Sequence, residues 1–423
     1  MRSSLNQQRN PTVAVGLPSP QSFQYNLRNI TNCESMSSTG RNHQPPRSNG
    51  TQEEPSSGDS TDSPPRLPPQ LRVTVGAIPH NLKQTLEAQY SKDHQFIREF
   101  GAVRPPQAFE SQGQKLVVAG TGVVSQPAEE AKYFMDILWR FVPGAFGRAW
   151  YQAQSNKVEN SKHPMLMWRK KASEYMGRCE KTANGIYIPR MTAPMAAYFG
   201  FAYDLWVVHD TGRLDKRFLE RLKNRDQFQG ARHELFAEAT CIRGNFEIMR
   251  ENEADGQTRH AEFTATHRLT KQTVSVEAKS KHRRGILGYP GEREEAGDFY
   301  MPIGKLLSDA VEKRPPHPLV LFLELNLPYD TARPLFNVSE AMPYSLVHKA
   351  MDDLRKRNGG RDLIAHLVMT NNAENHCRDD QIAPSGQVLS MYSNVSSTPV
   401  PLLKTFSAIH EAVLKYGNIP EFE

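Results

Sequence analysis

Residues 258–284, with the sequence TRHAEFTATHRLTKQTVSVEAKSKHRR, place the strongest constraint on how this chain folds. Two stretches in this segment, rich in β-branched residues, predict two neighbouring strands. Side chains alternate between the two faces of a strand, so Glu277 and Lys279 lie on one face and Ala278 on the other. Glu262 adds a carboxylate early in the preceding strand. We therefore expect two carboxylates and an ammonium to meet on one β-sheet, an arrangement that can hold a divalent metal and a water molecule.

The segments on either side predict an α/β fold. In order, the predicted elements are two helical runs within 213–242 that separate near Gln229 and Gly230, strands at 245–252, 260–269 and 272–281, a helix at 304–313, and a strand at 318–328. The last of these is almost wholly apolar, which is typical of a strand that is buried on both faces.

Composition divides the chain into three predicted parts. Residues 1–72 are rich in Ser, Pro, Asn and Gln and bury too little apolar surface to offset chain entropy, so we expect a disordered tail. Residues 73–212 contain all four tryptophans and predict a mostly helical region with one strand at Leu116–Val124. Residues 213–423 carry the α/β pattern, with its core at 229–328. The tail or the helical region offers a surface for a protein partner.

Charge and cysteine content narrow the class of protein. The net charge of +6 and the isoelectric point near 9.0 are compatible with a polyanionic partner. The four cysteines form no C-x-x-C pair, which disfavours a structural zinc site or a disulfide framework. The N-terminus lacks the apolar segment of a signal peptide, and the stretch Met195–Val208 is too short to cross a bilayer. We expect a cytoplasmic protein with no membrane partner, in which this stretch is a buried helix.

Other kinds of site have weaker support. A Gly-Thr-Gly turn within Leu116–Val124 is half of a dinucleotide-binding fingerprint, but the third glycine is absent. His260 and His267 flank Glu262 and could form a transition-metal site with it. The sequence contains neither a G-x-S-x-G motif nor a phosphate-binding P-loop. The two carboxylates and the lysine therefore remain the best-supported chemistry.

The order helix, three strands, helix, strand resembles the PD-(D/E)xK nuclease superfamily, which has the restriction-endonuclease-like fold. The resemblance covers residues 229–328 and depends on the helix GARHELFAEA, the acidic AEF segment and the VEAK segment. It implies a mixed β-sheet flanked by helices, with an αβββαβ core. The chain departs from the family pattern in two ways, since Ala261 stands in place of proline and Glu262 in place of the more frequent aspartate.

The resemblance implies catalytic roles for four residues: Glu234, Glu262, Glu277 and Lys279. Glu262, Glu277 and the backbone carbonyl of Ala278 would bind Mg²⁺ or Mn²⁺, because hard cations prefer oxygen ligands. Lys279 would orient or activate the attacking water. The family's helix glutamate corresponds to Glu234 or to Glu238, which lies one turn further along the same face. We prefer Glu234.

The implied activity is metal-dependent hydrolysis of phosphodiester bonds in nucleic acid, with DNA expected over RNA. A basic cluster that directly follows the Glu-x-Lys motif is expected to bind backbone phosphates: Lys281, Arg283 and Arg284. The alternative is an inactive protein of the same fold that serves as a nucleic-acid-binding or assembly module.

Overall fold

The structure is a computed structural model that describes residues 13–16, 80–104, 106–111, 114–119, 122–126, 133–179, 190–211, 214–250, 260–287, 291–292, 302–327, 342–372, 374, 387–392, 398–415 and 417–420. The predicted disordered tail, residues 1–72, lies outside these ranges apart from residues 13–16. The chain divides into two compact units, Met1–Arg28 with His94–Glu423, and Asn29–Asp93. Of the second unit, only residues 80–93 are described.

The described ranges contain ten α-helices: α1 (His80–Phe100), α2 (Phe134–Phe146), α3 (Arg148–Ser155), α4 (Pro164–Arg178), α5 (Ala193–Asp210), α6 (Lys216–Lys223), α7 (Phe228–Arg243), α8 (Ile303–Val311), α9 (Met342–Arg357) and α10 (Val400–Leu414). The same ranges contain ten β-strands: β1 (Val13–Gly16), β2 (Gln107–Ser111), β3 (Gln114–Ala119), β4 (Gly122–Gln126), β5 (Phe246–Arg250), β6 (Phe263–His267), β7 (Thr273–Ser280), β8 (Leu319–Glu324), β9 (His366–Asn371) and β10 (Gln387–Tyr392). A short 3₁₀ helix, Glu159–Ser161, precedes α4.

The larger sheet is mixed, with its strands in the order β1-β10-β9-β8-β7-β6-β5. At its centre, β7, β8 and β9 pair in parallel, whereas β5, β6 and β7 pair antiparallel. A parallel pair requires a crossover connection, which α8 provides between β7 and β8 and α9 provides between β8 and β9. The predicted order of helix, three strands, helix and strand is found as α7-β5-β6-β7-α8-β8, and the predicted α/β class with a mixed sheet is confirmed.

The side chains of β8 assign the helices to the two faces of this sheet. Every residue of Leu319–Glu324 is buried, as expected of a strand that is covered on both sides. Leu321 and Leu323 belong to a hydrophobic cluster that includes residues of α8 and α9. Phe322 points to the opposite face and meets Phe236 of α7 edge-on, with ring centroids 6.1 Å apart. Helices α8 and α9 therefore cover one face, and α7 covers the other.

Helix α5 is buried along most of its length and packs against α2, α4 and α7. This confirms the prediction of a buried helix at Met195–Val208. None of the helices in the described ranges combines the length and the hydropathy that a membrane crossing requires.

One predicted boundary is wrong. The break between the two helical runs falls at residues 224–227, so Gln229 and Gly230 lie inside α7. In a sequence, a glycine favours the end of a helix. In the structure, a Cβ at Gly230 would lie 3.3 Å from Nε2 of His282. Close approach of the segment after β7, rather than a turn, accounts for this glycine.

The region predicted to be mostly helical also contains a three-stranded antiparallel sheet, in the order β2-β3-β4. The single strand predicted at Leu116–Val124 corresponds to parts of β3 and β4, which pair with Ala119 opposite Gly122. Antiparallel strands that pair so closely do not form the strand-helix-strand unit of a dinucleotide-binding fingerprint. Gly120 and Thr121 of the Gly-Thr-Gly turn lie outside the described residues, and the strands on either side do not support the dinucleotide-binding alternative.

We expect Phe322→Ala to lower the free energy of unfolding by about 3–5 kcal/mol, because it removes a fully buried ring between the sheet and α7. Leu269→Ala is a matched control, since Leu269 is 79% exposed, and we expect it to change stability by less than about 0.5 kcal/mol. Chemical denaturation of both variants measures the difference. Similar losses in the two variants would contradict the assignment of α7 to this face.

Candidate functional site

Glu262 and Glu277 lie close together, one just before β6 and the other within β7. The pairing of β6 with β7 ends with Phe263 opposite Val276, and the backbone N–H of Glu262 also donates to the carbonyl of Val276, at 3.1 Å. This bond is one residue out of register, so the pairing ends in a bulge at Glu262. One cation, the ammonium of Lys313, lies within 3.2 Å of both carboxylates. The two carboxylates are therefore neighbours, although Glu277 is completely buried and Glu262 lies at the edge of solvent.

Lys313 binds both carboxylates. Its Nζ lies 3.2 Å from Oε1 of Glu262, 2.7 Å from Oε1 of Glu277 and 2.9 Å from Oε2 of Glu277. Two like charges held close together repel each other, and a shared ammonium offsets that repulsion. The sequence predicted only that Lys313 ends a helix and assigned it no part in the site.

The turn after α8 explains how Lys313 reaches the sheet. Helix α8 ends at Val311, and the chain must then return to the start of β8. The turn closes with the backbone N–H of Arg314 donating to the carbonyl of Val311 at 3.0 Å. Arg314 has a φ of 46°, a left-handed conformation that costs a non-glycine residue energy, and Pro315 and Pro316 follow it. A tight connection on this face therefore presents Lys313 to the carboxylates.

Lys279 lies beside Glu277, as the strand alternation predicted. Its Nζ is 2.5 Å from Oε1 of Glu277, and its side chain is partly exposed. Glu277 pairs in register with Leu321, whose side chain belongs to the cluster with α8 and α9. Residues paired across parallel strands point to the same face, so the carboxylates and both lysines lie on the face covered by α8 and α9.

The charges in this cluster balance. Burial raises the pKa of the Glu277 carboxyl above its usual value and the charge of Glu262 raises it further, whereas Lys279 and Lys313 lower it. Burial lowers the pKa of Lys313, but the charges of Glu262 and Glu277 outweigh that effect and leave the pKa raised. Lys313 is thus a stable cation between the two carboxylates.

The predicted helix glutamates lie on α7, which covers the opposite face of the sheet. Glu234 forms an ion pair with Arg221, 2.5 Å from Nη2 to Oε1. Glu238 is buried and bound by Arg250 of β5, whose Nε lies 3.3 Å from Oε1 and whose Nη2 contacts Oε2. The structure therefore brings Glu262, Glu277 and Lys279 together and places Glu234 and Glu238 in separate ion pairs on the other side of the sheet.

The predicted phosphate-binding residues differ in exposure. Arg284 is exposed and Lys281 is partly exposed, but Arg283 is only 3% exposed. The Gln229 side chain accepts from the backbone N–H of Arg283 at 3.1 Å and donates to its carbonyl at 2.9 Å. These two hydrogen bonds from α7 hold the backbone of Arg283 in the interior. Of the three residues, only Lys281 and Arg284 therefore reach solvent.

A second buried polar cluster lies where β8 and β9 end. The carboxylate of Glu324 accepts from Thr370 Oγ1 at 2.5 Å, from the backbone N–H of Asn372 at 2.8 Å and from its Nδ2 at 3.0 Å. The Asn371 side chain accepts from the backbone N–H of Leu327 at 2.6 Å and donates to its carbonyl at 3.0 Å. The sequence predicted no role for these residues. Their contacts hold together the ends of the two parallel strands β8 and β9.

The carboxylate oxygens of Glu262 and Glu277 suit a hard cation, provided that the ammonium of Lys313 moves away. Within the described ranges, no group of three or more His, Cys, Asp or Glu side chains is arranged to hold a metal ion. Glu262 and Glu277 nevertheless direct their oxygens at one cation, the Lys313 ammonium, and oxygen donors are those that Mg²⁺ and Mn²⁺ prefer. The two carboxylates therefore fit a metal ion if the ammonium of Lys313 withdraws.

The histidine alternative is not supported by the geometry. His267 ends β6, four residues beyond Phe263, where its Nδ1 lies 2.9 Å from Oγ1 of Thr270. Since Glu262 lies just before the first residue of the same strand, His267 and Glu262 are at opposite ends of it. They are too far apart to share one metal ion.

Comparison with protein-family models, with curated proteins and with solved structures finds no match to this chain. The function is therefore inferred from the geometry of the site.

We expect Lys313→Met to destabilise the fold, because it leaves two adjacent carboxylates without their shared cation. The loss should be much smaller when Glu277→Gln is already present, and a double-mutant cycle should give a coupling of about 0.5–3 kcal/mol. Chemical denaturation of the four proteins measures it.

The exposed pair Lys305 and Asp309 on α8, 2.5 Å apart, serves as the control cycle. We expect about 0.3–0.5 kcal/mol for such a surface pair. A Lys313–Glu277 coupling no larger than this would contradict the role given to Lys313.

Proposed function

We propose that this chain is a metal-dependent nuclease of the restriction-endonuclease-like type, which hydrolyses phosphodiester bonds in nucleic acid. The observation that carries the proposal is the convergence of the Glu262 and Glu277 carboxylates on one cation, with Lys279 beside Glu277. The succession α7-β5-β6-β7-α8-β8 that holds these residues supports it. Two carboxylates and a lysine on adjacent strands suit phosphodiester chemistry better than any other cluster in the described ranges.

Glu262 and Glu277 would hold the metal, either Mg²⁺ or Mn²⁺, with the carbonyl of Ala278 as a further oxygen donor. Such an ion, when bound, lowers the pKa of a water molecule and offsets negative charge on phosphate oxygens. Glu277 is fixed by burial in the middle of β7. Glu262 is partly exposed just before β6, so it can adjust to a ligand more easily.

Lys279 is the group placed to act on the substrate side. Its ammonium is anchored to Glu277 at 2.5 Å and is partly exposed, so it can face both the carboxylate and a bound phosphate. A fixed positive charge at this point stabilises the negative charge that develops on the phosphate as water attacks. It can also orient that water through a hydrogen bond.

Nucleic acid is the substrate class that suits the surroundings of the site. Lys281 and Arg284 reach solvent in the segment that directly follows β7, two and five residues beyond Lys279. Phosphate contacts from such residues position a nucleic acid without reading its sequence. We favour DNA over RNA as the substrate.

One observation favours the rival function, an inactive module that binds nucleic acid or assembles with a partner. The ammonium groups of Lys313 and Lys279 already balance the charges of the two carboxylates, and a site that is neutral without a metal attracts divalent cations less strongly. This reading predicts nucleic-acid binding that a chelator does not change.

The decisive experiment incubates single-stranded and double-stranded DNA and RNA with the full chain and Mg²⁺ or Mn²⁺. We expect metal-dependent cleavage that falls by about 10²-fold or more in Glu277→Gln and in Lys279→Met, because each removes a charge from the reacting region. Glu220→Gln, in an exposed pair with Lys223, should cleave like the wild type. Binding without cleavage in all proteins, unaffected by chelator, would support the inactive module instead.

A further inference from the structure

We propose that Lys313 is an internal competitor for the metal ion. In the metal-free protein its ammonium holds Glu262 and Glu277 together, and a divalent cation binds only by displacing it. This inference rests on the proposed metal site and deepens it, since it names the residue of this chain that sets how tightly that site binds metal.

Lys313 lies where a metal ion would bind. Lys313 Nζ contacts three of the four oxygens that the carboxylate pair offers, at distances of 2.7–3.2 Å. Oxygen ligands surround Mg²⁺ and Mn²⁺ at similarly short distances. A metal ion bound by Glu262 and Glu277 together must therefore take up the space in which the ammonium lies.

The charge of Lys313 also opposes the binding of a metal ion. The cluster holds two carboxylates and two ammonium groups, so it is balanced before any metal arrives. A divalent ion bound to the same carboxylate oxygens as Lys313 would be repelled by the ammonium group at close range. When this ammonium moves away, both carboxylates are available to bind the metal, while Lys279 stays in place on β7.

The location of Lys313 allows its side chain to move. Lys313 lies in a turn, its side chain is about one-fifth exposed, and four methylene groups connect its ammonium to the backbone. The ammonium can therefore move toward solvent without any change in the sheet. Lys279 lies within β7, and its backbone is fixed by the pairing of that strand with β8.

Binding of Mn²⁺ alone tests the proposal without any nuclease assay. Calorimetry and the electron paramagnetic resonance of free Mn²⁺ give its dissociation constant for wild type and for Lys313→Met. Methionine keeps much of the apolar stem and removes the charge. We expect Lys313→Met to bind Mn²⁺ about tenfold more tightly or better, which corresponds to about 1.4 kcal/mol. Lys305→Met, on the exposed surface of α8, should bind like the wild type.

Chemical labelling of the wild type gives a second readout that needs no variant of the site. Reductive methylation followed by mass spectrometry reports how accessible each lysine nitrogen is. We expect labelling of Lys313 to increase when Mg²⁺ is added, because its ammonium leaves the carboxylates, and labelling of Lys305 to stay constant. Labelling of Lys313 that does not change at saturating Mg²⁺ would overturn the proposal.

The outcomes separate this inference from the function on which it rests. Equal or weaker Mn²⁺ binding by Lys313→Met would overturn the competition and leave the metal site in place. Absence of Mn²⁺ binding by both proteins would remove the metal site and the proposal together. If Lys313→Met binds Mn²⁺ more tightly than the wild type does but neither protein cleaves nucleic acid, the competition is supported. That result would count against the proposed nuclease activity.

Discussion

Two carboxylates that lie together where β6 meets β7, those of Glu262 and Glu277, need a cation between them, and the arrangement of the site follows from that need. Glu277 is completely buried, so water cannot screen it from Glu262. Lys279 reaches Glu277 along the same strand, but the ammonium that contacts both carboxylates comes from Lys313. The pair is stable in the folded chain because a distant segment supplies this charge.

The layers of the fold explain why that segment is the end of α8. Alternation along β8 sends Leu321 and Leu323 toward α8 and α9 and sends Phe322 toward α7. Glu277 shares the face of Leu321, so only elements on the α8 side can reach it. The parallel pairing of β7 with β8 requires a crossover, and its return to β8 passes that face. Topology thus places a lysine beside the carboxylates and places the glutamates of α7 on the other side.

Local patterns predicted much of this architecture. The alternation of β7 placed Glu277 and Lys279 on one face, and the order of elements from α7 to β8 followed from helical and strand periodicity, because both are properties of short segments. Lys313 was missed because its partner Glu277 is 36 residues away and a turn carries no periodic signal. The burial of Arg283 was missed for the same reason, since a side chain from α7, 54 residues earlier, clamps its backbone.

A crystal structure of the chain soaked with Mn²⁺ tests the central claim most directly, because the anomalous scattering of the ion locates it independently of any assay. We expect one anomalous peak between the carboxylates of Glu262 and Glu277, with the Lys313 ammonium moved away from both. Carboxylates that point apart, or Mn²⁺ bound elsewhere while Lys313 still bridges the pair, would contradict it.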